Sequence, residues 1–135
     1  MSAGRVKHNR PSELIIGPLP SKKINKTLEL ELEEGVVVFS VAAQLHASRK
    51  HGDEYARCLP FVGGIIADPL YVGDDDNNPG KIELIGRAVS LGTSILVAVS
   101  IDPDDQGRYH VTSLYPVSHK KVEGRRRKGF LSICK

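Results

Sequence analysis

The spacing of apolar residues changes near residue 69 of the chain. Between residues 41 and 66, apolar side chains recur at intervals of three and four, which is typical of helices that bury one face. From residue 70 onward they alternate with polar side chains, which is typical of strands. The pattern therefore predicts helices first and a sheet after them.

Residues with capping or breaking properties set the ends of the predicted helices. Ser40 can cap the first helix with its side chain, and Gly52 can end it. Asp53 can cap a second helix, which either tolerates Pro60 or bends there, and which ends at Asp68. Two helices are therefore expected ahead of the sheet.

The second half of the chain contains a series of strand patterns. Residues 70–72, 81–85, 94–101 and 108–115 each favour a strand, and residues 102–107 favour a hairpin between the last two. The fold class is therefore predicted to be α+β, with N-terminal helices packed on one face of a roughly four-stranded antiparallel sheet.

The remaining segments give weaker patterns. Residues 1–34 are interpreted as an N-terminal extension or linker that can hold short strands, of which residues 1–11 form a flexible tail. Apolar and acidic residues alternate at 27–33, which favours a half-buried strand, and the β-branched run at 35–39 predicts a short buried strand. An acidic turn is expected at residues 73–80.

Length and composition exclude several classes of protein. At 135 residues, 40% of them hydrophobic, the chain is long enough for one domain with one core and too apolar for disorder. No apolar run approaches the roughly 20 residues that cross a bilayer, and no secretory signal is visible. Cys58 and Cys134 give neither a disulfide framework nor a metal-ligand spacing. No cofactor, metal or membrane partner is therefore expected.

Charge is distributed unevenly along the chain. Residues 1–26 carry six Lys or Arg and one Glu, and residues 119–135 carry seven and one. The middle, residues 27–118, carries six Lys or Arg against 14 Asp or Glu. Basic ends on an acidic middle favour contact with a polyanion, and the run at 125–128 is the strongest candidate for it.

Two histidines lie close together on the first predicted helix. His46 and His51 are five residues apart, which is about 500° of rotation, so on a continuous helix they point roughly 140° apart. Either one of them is structural or the helix ends between them. Histidine suits proton transfer near neutral pH, so each is a candidate for a catalytic site.

The last strand pattern carries hydroxyl groups on a face that is not purely apolar. Ser113 and Tyr115 are two residues apart and share a face of a strand, and Val111 is expected on the same face. His110, Thr112 and Leu114 are expected on the other face. Polar and apolar residues therefore occur on both faces of this strand. This suggests that the polar ones have a role other than packing.

Imidazole, hydroxyl and cationic groups are together what cleavage of RNA without a metal requires. Histidines move the protons, while hydroxyls and cations stabilise the charge that develops on the phosphate. The candidate catalytic residues are His46, His51, Ser113 and Tyr115. The candidate RNA-binding residues are Arg49, Lys50, Lys120, Lys121, Arg125, Arg126, Arg127 and Lys128.

The order of these segments resembles a known family. The matching segments are Val-Val-Val-Phe-Ser at 36–40, the histidine pair with Lys50 and Gly52, Ile-Ile-x-Asp-Pro-x-Tyr-Val-Gly at 65–73, Lys-Ile-Glu-Leu-Ile at 81–85, the strand at 95–99, Tyr-x-Val-Thr-Ser-Leu-Tyr at 109–115 and Arg-Lys-Gly-Phe-Leu at 127–131. With these segments, residues 35–131 resemble the phage-associated members of the barnase–EndoU–colicin–RelE (BECR) nuclease superfamily. The nuclease domain is therefore expected at residues 35–135.

The resemblance implies a fold, an activity and site residues. It implies two helices with a four-stranded sheet, and an RNase that serves as a toxin or effector carried by phages or fused to phage structural proteins. His46 and His51 match the paired helix histidines of the family, Ser113 matches its strand Ser or Thr, and Tyr115 matches the aromatic residue that follows.

The chain departs from the family pattern at three positions. Ala47 stands where an apolar residue commonly follows the first histidine, Asp68 replaces a common Asn, and Leu70 replaces a common Asp. These positions lie in the predicted helix and turn and not among the candidate catalytic residues.

The sequence is therefore interpreted as a metal-independent endoribonuclease that cleaves tRNA or mRNA and leaves a 2′,3′-cyclic phosphate. His51 is expected to act as general base or acid, with His46 as the second proton carrier or its orienter, while Ser113 and Tyr115 bind the scissile phosphate. We expect it to act in the bacterial cytoplasm, delivered by a phage or by secretion as part of a larger protein, and to have a cognate antitoxin or immunity protein.

Two alternatives remain open at this stage. The chain could be a non-catalytic RNA-binding module or phage structural domain that keeps the fold and the basic end. It could also be an inhibitor or immunity protein whose acidic middle binds a basic toxin.

Overall fold

A computed structural model describes residues 12–74 and 78–134. The predicted tail at 1–11 and the centre of the acidic turn, residues 75–77, lie outside the described residues. The strands are β1 Leu14–Pro18, β2 Val36–Phe39, β3 Tyr71–Asp74, β4 Lys81–Ala88, β5 Thr93–Ser100, β6 Tyr109–Val117 and β7 Ser132–Ile133. The α-helices are α1 Ser21–Leu28, α2 Val41–His51, α3 Asp53–Cys58, α4 Val62–Ala67 and α5 His119–Arg127.

The α+β class is confirmed, but the sheet is larger than predicted and mixed. Within residues 12–74 and 78–134, seven strands lie in the order β1-β2-β6-β5-β4-β3-β7. The predicted antiparallel strands form its contiguous part, β3 to β6. β1, β2 and β7 extend it at both ends, and β2 pairs with β6 in parallel through Val37 with Tyr109 and Val38 with His110. This pairing joins segments far apart in sequence, so local patterns do not reveal it.

The helices begin and end close to the predicted positions. Ser40 caps α2, since its Oγ accepts a hydrogen bond from the backbone N–H of Ala43 at 3.1 Å, and Gly52 ends the helix at φ 54°. The prediction that Asp53 caps the second helix was wrong, because Gly52 occupies the cap position and Asp53 is the first helical residue. A 3-10 turn at Leu59–Phe61 separates α3 from α4. Pro60 in this turn has no N–H to continue the helical hydrogen bonds.

The predicted strand at residues 27–33 was wrong. Thr27 and Leu28 end helix α1, and residues 30–35 form no regular structure. The amide of Asn25 occupies both backbone groups of Leu32: its Oδ1 accepts from the Leu32 N–H at 2.8 Å, and its Nδ2 donates to the Leu32 carbonyl at 3.0 Å. The alternating leucines still pack against the core, but no neighbouring strand pairs with this segment in the described part of the chain.

Helices cover both faces of the sheet. The main core lies between α1–α4 and one face, and it includes Ile24, Ala47, Tyr55 and Ile65 from the helices. The second core lies on the other face, where Val122 of α5 packs with Tyr71, Ile85, Leu96, Ala98, Val117 and Leu131. The prediction of helices on one face therefore missed α5, because the basic run that forms its last turn carries no apolar repeat.

Candidate active site on strand β6

His51 and Tyr115 are in contact. Their rings are stacked with centroids 5.3 Å apart and planes 21° apart. His51 is the last residue of α2, while Tyr115 lies on β6 and packs against the second core. Both residues are partly exposed. The structure thus joins two of the predicted catalytic residues, one from each half of the chain.

The open side of β6 makes this contact possible. β2 pairs with β6 only at Tyr109 and His110, so residues 111–117 have no partner strand on that side in the described structure. Helices α2 and α3 lie against β6 there instead. Gly52, with its positive φ of 54°, turns the chain directly after His51. The helix therefore ends where its last side chain reaches round the sheet edge to Tyr115.

A bulge in β6 decides which residues share its faces. Ala98 of β5 pairs with Ser113, and its neighbour Val99 pairs with Val111, which leaves Thr112 as an extra residue. Ser113 and Tyr115 share the face of the second core, as predicted, because they lie opposite Ala98 and Leu96 of that core. The expectation that Val111 shares their face was wrong. Val111 lies in the main core with Leu114.

His110 is hydrogen-bonded to the loop between β5 and β6. Its Nε2 lies 2.8 Å from Oδ2 of Asp104. The same carboxylate accepts from Arg108 through the backbone N–H at 2.9 Å and Nε at 3.0 Å, and from the backbone N–H of Gln106 at 2.9 Å. The backbone hydrogen bond from Arg108, followed by the bond to His110, holds the pKa of Asp104 well below its usual range. Asp104 therefore stays ionised at neutral pH.

His46 lies apart from the other predicted catalytic residues. Its side chain is exposed on α2, while the adjacent Ala47 packs into the main core. Within residues 12–74 and 78–134, no hydrogen bond or ring contact joins His46 to His51 or Ser113. The helical spacing that predicted divergent histidines agrees with this arrangement.

Two of the predicted RNA-binding arginines are engaged within the protein. Arg125 makes an ion pair with Glu83, which is only 4% exposed on the second-core face of β4. Arg126 lies 3.3 Å from Glu123 and stacks 4.9 Å above the ring of Tyr71. The contacts with Glu83 of β4 and Tyr71 of β3 attach α5 to the sheet.

The other six predicted RNA-binding residues are exposed. Within the described residues, none of them has a salt-bridge partner; they are Arg49, Lys50, Lys120, Lys121, Arg127 and Lys128. Lys120, Lys121 and Lys128 line a groove beside α5, together with Pro116 and Val117 at the end of β6. Pro116 directly follows Tyr115 in β6, so the exposed lysines of this groove lie near the end of the strand that carries the candidate site.

Sequence reasoning missed the polar groups that support this face. Glu83 lay inside a predicted strand. A charged residue between Ile82 and Leu84, which both belong to the main core, is the sequence feature that could have identified it. Asp104 lay in the predicted hairpin, and no sequence pattern indicated which side chain it would hydrogen-bond.

Among the described residues, no group of three His, Cys, Asp or Glu side chains is arranged to hold a metal ion. In the same part of the chain, no helix has the length and apolar character to span a bilayer.

The chain matches a known nuclease family. The family model described as phage-Barnase-EndoU-ColicinE5/D-RelE like nuclease3 matches residues 14–124. The match begins at β1 and ends within α5, so it includes the candidate site on β6 and the helix that carries His51. No curated protein and no solved structure matches the chain.

Proposed function

The chain belongs to the phage-Barnase-EndoU-ColicinE5/D-RelE like nuclease3 family, and from this premise we propose that it is a metal-independent endoribonuclease. The family resemblance predicted from the sequence is confirmed, and it supports a nuclease of the BECR type. The proposal adds three points to this: the substrate is RNA, cleavage follows the chemistry given below, and the protein serves as a toxin.

The observation that carries the proposal is the stacking of His51 on Tyr115, with Ser113 on the same face of β6. It sets an imidazole on the ring of Tyr115 at a partly exposed surface, and the same strand face carries the hydroxyl of Ser113. An imidazole can take or give a proton near neutral pH, and hydroxyl donors can hydrogen-bond the non-bridging oxygens of a phosphate.

The proposed reaction is a transfer within the RNA strand. A proton-transfer group removes the 2′-hydroxyl proton, and the 2′-oxygen forms a bond to phosphorus while the bond from phosphorus to the 5′-oxygen breaks. The leaving 5′-oxygen takes a proton from a second group. The products are a 2′,3′-cyclic phosphate and a 5′-hydroxyl end. His51 carries one of these protons, and Ser113 and Tyr115 hold the phosphate.

The exposed cations bind the flanking nucleotides. Arg49 and Lys50 lie in the last turn of α2 beside His51, and Lys120, Lys121 and Lys128 line the groove beside α5. Contacts to phosphates position a strand without reading its sequence, so they suit tRNA and mRNA alike. We propose that the protein acts in the bacterial cytoplasm as a toxin or effector, and that a cognate antitoxin or immunity protein binds it.

Cleavage of total bacterial RNA by the purified chain in EDTA tests the proposal. We expect discrete fragments on a denaturing gel, and a loss of at least about 100-fold in rate for His51→Ala, the usual size of a general acid–base contribution. Lys22→Ala, an exposed cation on α1, is the matched control and should cleave like the wild type. A requirement for a divalent metal would contradict the proposal. RNA that binds but stays intact would favour a non-catalytic RNA-binding module instead.

A further inference from the structure

We infer that His110, oriented by Asp104, is the second proton-transfer residue of the proposed site, in the role that the sequence assigned to His46. The inference rests on the proposed ribonuclease function. Three features of the structure support it: the direction of the His110 side chain, its fixed partner and its position relative to Ser113.

His110 faces the same side of the sheet as the other candidate residues. Its neighbours Tyr109 and Val111 both lie in the main core, and successive side chains of a strand point to opposite faces. His110 therefore points to the second-core face, which also carries Ser113 and Tyr115.

Ser113 lies between His110 and the stacked pair of His51 with Tyr115. At about 3.3 Å per residue, Ser113 is roughly 10 Å along the strand from His110 and roughly 7 Å from Tyr115, and the bulge at Thr112 shortens the first distance. A phosphate held at Ser113 would thus have one imidazole on each side.

This arrangement suits the geometry of the reaction. In an in-line displacement the attacking and leaving oxygens lie on opposite sides of phosphorus. The proton leaves the 2′-oxygen on one side, and the 5′-oxygen receives a proton on the other side. Two imidazoles at opposite ends of one strand face can serve these two oxygens separately.

Asp104 fixes which nitrogen of His110 is available. An ionised carboxylate only accepts hydrogen bonds, so Nε2 of His110 must carry the hydrogen that bridges the 2.8 Å separation. Nδ1 is then the nitrogen left for a substrate proton. The bonds from Arg108 and Gln106 hold the carboxylate in turn, so the ring has a fixed orientation. The described structure gives His46 no such partner.

Activity of the histidine variants on a mapped cleavage site tests the inference. His110→Gln keeps an amide donor for Asp104 and removes the proton carrier, and we expect it to lose at least about 100-fold in rate. His46→Ala should change the rate by less than about threefold, and added imidazole should partly restore the activity of His110→Ala. A purely structural role for His110 would give no rescue by imidazole.

Asp104 is assigned as a positioning residue that acts through His110. Steady-state kinetics of its variants test this role. Asp104→Asn should lower kcat while KM changes little, and Asp104→Glu should recover part of the activity. Equal losses in His110→Gln and His46→Ala, or full activity in His110→Gln, would overturn the inference while leaving the ribonuclease function standing. If the wild-type chain does not cleave RNA, the proposed function and this inference both fall.

Discussion

The imidazole of His51 lies parallel to the ring of Tyr115, with 5.3 Å between centroids, although the two residues come from opposite halves of the chain. The contact exists because β2 leaves most of β6 unpaired on one side and α2 ends beside it. It fixes the position of the His51 imidazole relative to the strand that carries Ser113.

Removal of the Tyr115 hydroxyl should impair cleavage without changing the fold. Tyr115→Phe keeps the aromatic ring on His51 but loses the hydrogen-bond donor, and loss of one such donor typically lowers kcat by about 100-fold or more. Single-turnover rates measure the effect. Tyr71→Phe, in a tyrosine of β3 that also packs in the second core, is the matched control and should retain full activity. Equal rates for Tyr115→Phe and the wild type would remove Tyr115 from the proposed mechanism.

Arg125 should contribute to stability more than to RNA binding. Arg125→Ala removes the guanidinium that pairs with the buried carboxylate of Glu83, and breaking such a pair costs about 3 kcal/mol or more in the free energy of unfolding. Urea unfolding followed by circular dichroism measures it. The neighbouring exposed Arg127→Ala should change stability by less than about 0.5 kcal/mol. If both variants unfold alike, the ion pair does not hold α5 on the sheet.

The carboxylate of Asp104 should stabilise the fold above about pH 4 and lose this effect in acid. Its pKa in the folded state is lowered from the ordinary 3.8, so the folded state favours the ionised form. The contribution is complete above the unfolded pKa and declines as pH falls toward the folded one. The difference in urea midpoint between wild type and Asp104→Asn should therefore be steady near neutral pH and shrink below about pH 4. A difference that grows on acidification would contradict the assignment.

The lysines of the groove beside α5 should bind RNA through its phosphates. Each phosphate contact adds about 0.7 to the slope of log K against log salt for a single strand. Starting from the inactive His51→Ala protein, replacement of both Lys120 and Lys121 by alanine should reduce that slope by about 1.4. Lys22→Ala in the same background should leave it unchanged. A slope that does not respond to the double substitution would place the RNA elsewhere.

Local patterns predicted the central elements well. The capping of α2 by Ser40, its end at Gly52 and the antiparallel strands β3 to β6 all follow from short-range rules, and the structure confirms them. Those rules depend on residues only a few positions apart, so the sequence of each segment is enough to predict its helix or strand.

The errors arose where distant segments decide the outcome. The residues at 27–33 alternate like a strand, but Asn25 takes the backbone groups that a partner strand would need. The parallel pairing of β2 with β6 and the bulge at Thr112 are equally non-local, and the bulge moved Val111 to the opposite face from Ser113. The sequence suggested His46, His51, Ser113 and Tyr115 as a group, but the pairing of Asp104 with His110 emerged only from the structure.

The chemical form of the cleaved ends tests the central claim most directly. Wild-type protein and His51→Ala are incubated with total bacterial RNA in EDTA, and the fragment ends are identified enzymatically. The proposed mechanism predicts 2′,3′-cyclic phosphate and 5′-hydroxyl ends that form without metal and disappear in His51→Ala. Fragments with 5′-phosphate ends, or cyclic phosphate ends that persist undiminished in His51→Ala, would contradict it.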